Sequence, residues 1–343
     1  MNNILKNKNL LFGLILILLI VIRIPGLHIS YYQDEYKWPI LMNPELTVPG
    51  SIPHPPLSEF IYSHTAKIFG YENFRYTPFL FSIFNLFLLF YLVKKIFNDR
   101  SALISSFLYA ISGFSVIASL MVDTDGQILP FFFLLSVIFY INWRESVLFK
   151  YKILWFAAFL LSIILGFLVK LSFIIAIGTI VFDFFYSQSR SIEKRRRLFK
   201  YIFFGVGGLS IFLVIVLIGS RFIFPYFNLT KSFSYWIHFI VFSNRNYLQI
   251  FIQFFKALIY ISPLLLLPIF WMSREIAEKL RIFWLFIVGG LIFYLVLFDF
   301  STGALDRYFQ FLILPLCIIS GVVISDIFYQ NKEPVNKKMF SLF

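Results

Sequence analysis

Apolar runs of about 20 residues, the length a helix needs to cross the hydrocarbon core of a bilayer, recur along this chain, and the short stretches between them hold nearly all of its charge. Ten such segments can be drawn, at 9–27, 75–97, 102–121, 127–142, 152–169, 171–187, 201–220, 249–271, 282–298 and 308–329. Only 14% of the residues are charged and 60% are hydrophobic, where a soluble domain carries roughly a quarter charged residues. The chain is therefore read as an all-α integral membrane protein with about ten transmembrane helices.

The stretch 152–187 is apolar except for Lys170 and too long for one ordinary span. It has no strong turn signal, so its division rests on charge. Cytoplasmic loops collect Lys and Arg. With ten spans and an inner N-terminus, 20 of the 30 basic residues lie inside. A single span over 152–187 would instead place Glu193-Lys-Arg-Arg-Arg197 outside. Both termini are then cytoplasmic, in the cell membrane. Residues 1–330 form one transmembrane unit with a first outer loop at 28–73, and 331–343 form a short cytoplasmic tail.

A net charge of +13 would point to nucleic acid in a soluble protein, but here it sits in inner loops as topological anchors. The one cysteine, Cys317, excludes an intrachain disulfide. The first run follows Lys6 and Lys8 like a signal peptide. It lacks a small-residue cleavage site before Arg23-Ile-Pro-Gly26, so it is read as a retained span.

Acids beside a bilayer are expensive and by default functional. Asp34 and Glu35 lie just beyond the first span, with His54-Pro-Pro-Leu57 about twenty residues later. The loop around them is rich in Tyr, Trp and Pro. Its pieces 38–42 and 57–69 are each apolar on one side, so two short juxtamembrane helices are expected there. Adjacent residues cannot both face one substrate, so one acid is the working carboxylate and the other its partner. The alternative is a solvated acidic pair on a loop.

The ordered set Arg23-Ile-Pro-Gly, Tyr32-Gln-Asp34-Glu35 and His54-Pro-Pro-Leu57 resembles the N-terminal signature of the GT-C glycosyltransferases, nearest to protein O-mannosyltransferases and aminoarabinose transferases. The likeness continues through Val122-Asp-Thr-Asp125-Gly126, Gly166-Phe-Leu-Val-Lys170, and Asp306-Arg307-Tyr308 with Leu314-Pro315. It implies a GT-C-type polytopic bundle that moves a sugar from a polyprenyl-phosphate carrier to an acceptor hydroxyl on the outer face, with inversion. The acceptor is a protein, a glycolipid or a cell-wall polymer. By the same resemblance Asp34 is the general base, with Glu35 supporting it. Arg307 and then Lys170 stabilise the leaving phosphate, where a planar guanidinium suits phosphate oxygens better than a point charge.

Two departures stand out. The soluble C-terminal domain that many members carry has no counterpart here. His54 stands where the aminoarabinose branch has an acid.

Asp123 and Asp125 are candidates to bind sugar or acceptor hydroxyls, with His54 and Tyr308 completing the substrate site. They are also candidates to hold a divalent cation with Asp34 or His54, although the histidines lack metal-ligand spacing among themselves. The bland alternatives are a helix-capping acid cluster and, for Lys170, a side chain that snorkels to the surface. The rival function is a transporter or flippase of lipid-linked glycans, which would place ionisable groups at mid-bilayer. Asp183 alone fits that pattern. A non-catalytic scaffold is the third reading.

Overall fold

A computed structural model describes residues 7–42, 54–189, 263–294 and 305–330, with scattered positions between 207 and 255. Side chains at 33, 34, 41, 42, 188, 189, 305–308, 329 and 330 lie outside that description. Helix α1 (Lys8–Arg23) opens on Asn7, whose side chain accepts a hydrogen bond from the Leu10 N–H at 3.2 Å, an ordinary N-cap. The loop between α1 and the next span follows, with a 3-10 turn (Gln33–Tyr36), α2 (Lys37–Met42) and α3 (Pro56–Phe69). Two short helices do occupy this loop, and Pro55 and Pro56 set the start of α3.

The bundle continues with α4 (Tyr76–Ile96), α5 (Asp99–Ile111), α6 (Gly113–Leu120), α7 (Ile128–Glu145), α8 (Phe149–Val169) and α9 (Ile174–Ser189). After the less fully described stretch come α10 (Pro263–Leu266), α11 (Arg274–Lys279), α12 (Arg281–Ile292) and α13 (Ile313–Gln330). Among the described residues five helices are long and apolar enough to cross a membrane, or six if the bent α5–α6 pair counts as one span. The stretches 171–187 and 281–292 form shorter apolar helices. Most of the expected span at 201–220, and about half of that at 249–271, lie outside the described residues.

Two interruptions shape the bundle. The long apolar stretch does break at Lys170, which is extended (φ −158°, ψ 138°) between α8 and a 3-10 turn over Leu171–Phe173. The chain doubles back so tightly that the Phe173 ring occupies the place where a Gly166 side chain would stand. The second interruption corrects the expectation of one continuous span at 102–121. That segment bends by 65° between α5 and α6, where Ser112 and Gly113 interrupt the helix, and Arg23 braces the bend from outside it. Arg23, fully buried, donates to the Tyr109 and Ala110 carbonyls at the end of α5, at 3.4 and 2.9 Å. It also reaches Ser115 and Ser119 of α6 at 3.0 and 2.6 Å. A guanidinium here satisfies carbonyls that a helix end leaves open and complements the negative end of its dipole.

Ion pairs identify the two ends of the bundle. At one end, Asp99 pairs with Lys8 and Lys94, and Lys95 with Glu145 at 2.9 Å. Arg144 of the same end joins Arg281 on Asp183, at 3.3 and 2.6 Å. At the other end lie Arg23, Arg75, the 121–127 turn and Lys170.

Helix α13 is the most buried of the spans. It crosses α5 where Gly321 faces Ser105, so that an added Cβ would sit 2.6 Å from the Ser105 backbone. Small residues at such a crossing let helices approach closely where burial in lipid gives no hydrophobic drive. Overpacking costs about 1–3 kcal/mol, so Gly321→Ala is expected to lower the Tm of the purified protein by several degrees. An unchanged Tm would mean that this contact is not tight.

Candidate active site

The centre of the site end is an ion pair between the loop that follows α1 and the start of α4. Arg75 donates from Nη1 and Nη2 to the two carboxylate oxygens of Glu35, both at 2.8 Å. The same carboxylate accepts from the Tyr32 and Val122 N–H groups, also at 2.8 Å. Arg75 further reaches the carbonyls of Ile29 (2.8 Å), Ser30 (2.7 Å) and Leu120. Glu35 is 9% exposed and Arg75 5%. A buried charge pair is tolerated when its remaining hydrogen bonds are made, as they are here. Glu35 therefore acts as a clamp that orders the loop around Asp34. The backbone of Asp34 lies in the Gln33–Tyr36 turn, with its side chain outside the described residues.

The acidic turn after α6 is the second component. Gly126 fits because any side chain there would strike the Ala118 carbonyl and the Gln310 carboxamide. Asp123 accepts from the Thr124 N–H at 2.7 Å. Asp125, 1% exposed, forms a salt bridge with Lys170, 6% exposed, from the break after α8. The two family elements 122–126 and 166–170 thus meet through one ion pair. Tyr62 of α3 spans the site by donating to the Asp123 carbonyl at 3.0 Å. Burial, then the carboxylates of Asp123, Glu35 and Asp125, pushes its phenol well above the ordinary range, so it stays a neutral donor.

His54 stacks on Trp38, with ring centroids 5.1 Å apart, and Trp38 packs on Tyr62. Arg307 and Tyr308 lie in a 3-10 segment (Leu305–Leu312) with side chains outside the described residues. That segment is docked on the acidic turn by Gln310, whose Nε2 lies 3.3 Å from the Met121 sulfur. Among the described residues no three His, Cys, Asp or Glu side chains are placed to share a metal ion. The Asp123 carboxylate is turned onto its neighbour's N–H and that of Asp125 onto Lys170. Asp34, the other acid expected to share such an ion, has its side chain outside the described residues.

Reasoning from sequence missed Arg75, Tyr62 and Gln310. A signal existed for Arg75 alone, a cation at the start of a span and on the side that the charge bias would leave poor in basic residues. Asp183, which the sequence placed inside a span, sits at the basic end of the bundle, held by Arg281, Arg144 and the Tyr140 hydroxyl.

Residues 53–219 match the model of the family described as dolichyl-phosphate-mannose-protein mannosyltransferase. The fold is similar to that of ArnT from Cupriavidus metallidurans in the apo state, with a TM-score of 0.64 and 16% identity over 91% of this chain and 59% of that one. The same ArnT bound to undecaprenyl phosphate gives a TM-score of 0.64 and 14% identity over 91% and 60%. The apo oligosaccharyltransferase of Archaeoglobus fulgidus gives 0.58 and 11% over 94% and 51%. The chain thus spans 59–60% of the length of the ArnT chains. No curated protein sequence matches it significantly. The class is that of multi-pass membrane proteins with the GT-C glycosyltransferase fold. Within that class the chain resembles the protein O-mannosyltransferases and aminoarabinose transferases.

Removing one partner of a buried ion pair costs about 3–5 kcal/mol, so Arg75→Ala is expected to cause a large loss of Tm. The same change in a Glu35→Gln background is expected to cost clearly less, and simple additivity would rule out the clamp. A second expectation concerns Glu59 of α3, whose carboxyl burial pushes from 4.5 up to about 7. A raised folded-state value gives stability that is present below about pH 4.5 and lost as pH rises through about 7. Glu59→Gln is expected to flatten that part of a Tm–pH profile and raise Tm on its alkaline side. A profile identical to wild type would contradict this.

Proposed function

We propose that the protein is a glycosyltransferase. It moves a sugar from a polyprenyl-phosphate donor to an acceptor hydroxyl on the outer face of the membrane, inverting the anomeric centre. The observation that carries the reading is the buried Lys170–Asp125 pair at the same end of the bundle as the Glu35–Arg75 clamp. A cation is withdrawn there among acids, at the end opposite the basic anchors Lys8, Lys94 and Lys95. That polarity, with the positive-inside rule, supports an outer-face site. The two short loop helices then lie at the interface. The ArnT structure bound to undecaprenyl phosphate supports a carrier of that chemical class.

In this reading the Asp34 carboxylate takes the proton of the acceptor hydroxyl as its oxygen bonds to the anomeric carbon. The bond from that carbon to the phosphate oxygen breaks, and the electron pair stays on polyprenyl phosphate. Lys170 and Arg307 offset the charge that develops on the leaving oxygen. Asp123, His54 and Tyr308 contact the sugar or acceptor. Glu35 takes no proton and fixes the turn that carries Asp34. Against the transporter reading, Asp183 lies at the basic end of the bundle, where it is engaged by two arginines and so is tied into the helix packing.

The test is release of polyprenyl phosphate from a panel of labelled polyprenyl-phosphate sugars, by protein in lipid with native membrane extract as acceptor source. Asp34→Asn is expected to lower turnover by roughly a hundredfold or more, the contribution of a general base. Equal turnover in both proteins would remove Asp34 from the chemistry. Donor binding without turnover by the wild type would favour a transporter.

A further inference from the structure

Lys170 and Asp125 form a buried ion pair, and each is carried on a stretch of backbone that is itself hydrogen-bonded in place. Lys170 occupies the chain reversal, with its N–H on the Gly166 carbonyl (3.2 Å) and its carbonyl receiving the Phe173 N–H (3.0 Å). Asp125 belongs to a turn closed by the Leu129 N–H on the Thr124 carbonyl at 2.9 Å, with Gly126 pressed against Ala118. An anion that reaches the Lys170 ammonium therefore meets a fixed carboxylate beside it, and Asp123 stands two residues away in the same turn. A pocket of bare cations would bind the more highly charged of two anions more tightly. This one is built to do the reverse.

We propose that Asp125 makes the Lys170 site prefer a singly charged phosphodiester to a doubly charged phosphomonoester, so that spent carrier leaves more readily than donor. The inference rests on the reading of Lys170 as a ligand of the donor phosphate. In the donor the phosphate is esterified twice and carries one negative charge. Transfer breaks the bond between the anomeric carbon and the phosphate oxygen, and the released monoester carries about −1.5 to −2 at neutral pH. During bond breaking the anomeric carbon is itself positive and offsets part of the growing charge. Once the sugar has bonded to the acceptor that offset is gone, and Asp125 faces the full charge of a dianion at short range, which Lys170 and Arg307 balance only in part. Asp125 is in this sense a specificity-determining residue for carrier exchange.

Undecaprenyl phosphate and its methyl ester, undecaprenyl methyl phosphate, present the two charge states on one tail without any sugar. Their affinities for the purified protein in neutral-lipid nanodiscs, measured at low and matched ionic strength, give the ratio of interest. The wild type is expected to bind the ester at least as tightly as the free phosphate. Asp125→Asn is expected to strengthen phosphate binding about tenfold and to move the ester by less than about threefold, because the lost repulsion scales with ligand charge. Equal shifts for both ligands, or weaker phosphate binding with ester binding intact, would overturn the inference. If Asp125→Asn does not fold, the wild type decides alone, and a preference of about tenfold or more for the free phosphate overturns it. Binding of neither ligand by the wild type would overturn the phosphate role of Lys170 as well. Ester binding without the expected charge discrimination would overturn only the role of Asp125.

Discussion

The Arg75 guanidinium ties together more of the site end than any other group described. Its donors meet the carboxylate of Glu35, the backbone of Ile29 and Ser30, and the last carbonyl of α6. Glu35 returns the connection through the Tyr32 and Val122 N–H groups. One ion pair thus fixes the loop that carries Asp34, the start of α4 and the entry to the acidic turn. In low dielectric such a pair persists because each end has further partners, which offset the cost of taking both charges out of water. Arg23 does a related task one layer deeper, where its partners are neutral carbonyls and hydroxyls. It holds the bend that aims the turn towards Lys170.

Sequence and structure agree where the signal is local and physical. Lys170 interrupts an apolar stretch, and charge bias alone located the reversal there. The two loop helices were legible from their one-sided apolarity and from Pro55 and Pro56. The bend within 102–121 was legible only in part, because Ser112 and Gly113 weaken the helix at the break but the guanidinium that braces it lies some ninety positions earlier.

The candidate site shows the same division. Asp34, Glu35, Asp125 and Lys170 were visible as ionisable groups at the margins of apolar runs. Their pairing was not. Glu35 and Arg75 are 40 residues apart and Asp125 and Lys170 are 45 apart, and no spacing rule connects such positions. Tyr62 and Gln310 left no trace, since a buried aromatic or amide looks like ordinary packing until its partner is known.

The chain order of these pairings has a consequence for biogenesis. A membrane chain is inserted from its N-terminus as it is made, and each clamp here waits for a later partner. Glu35 emerges first, finds Arg75 only at the start of the second span, and receives the Val122 N–H only after the bent segment is in place. The carboxylate of Asp125 then stays without its ammonium until the reversal after α8 has been synthesised. A ribosome paused before residue 170 would leave an acid in the interior of a nearly finished half-bundle, which is the kind of defect that membrane quality control detects. The same side chains that order the mature site would thus serve, during synthesis, as a record of how much of the protein has arrived.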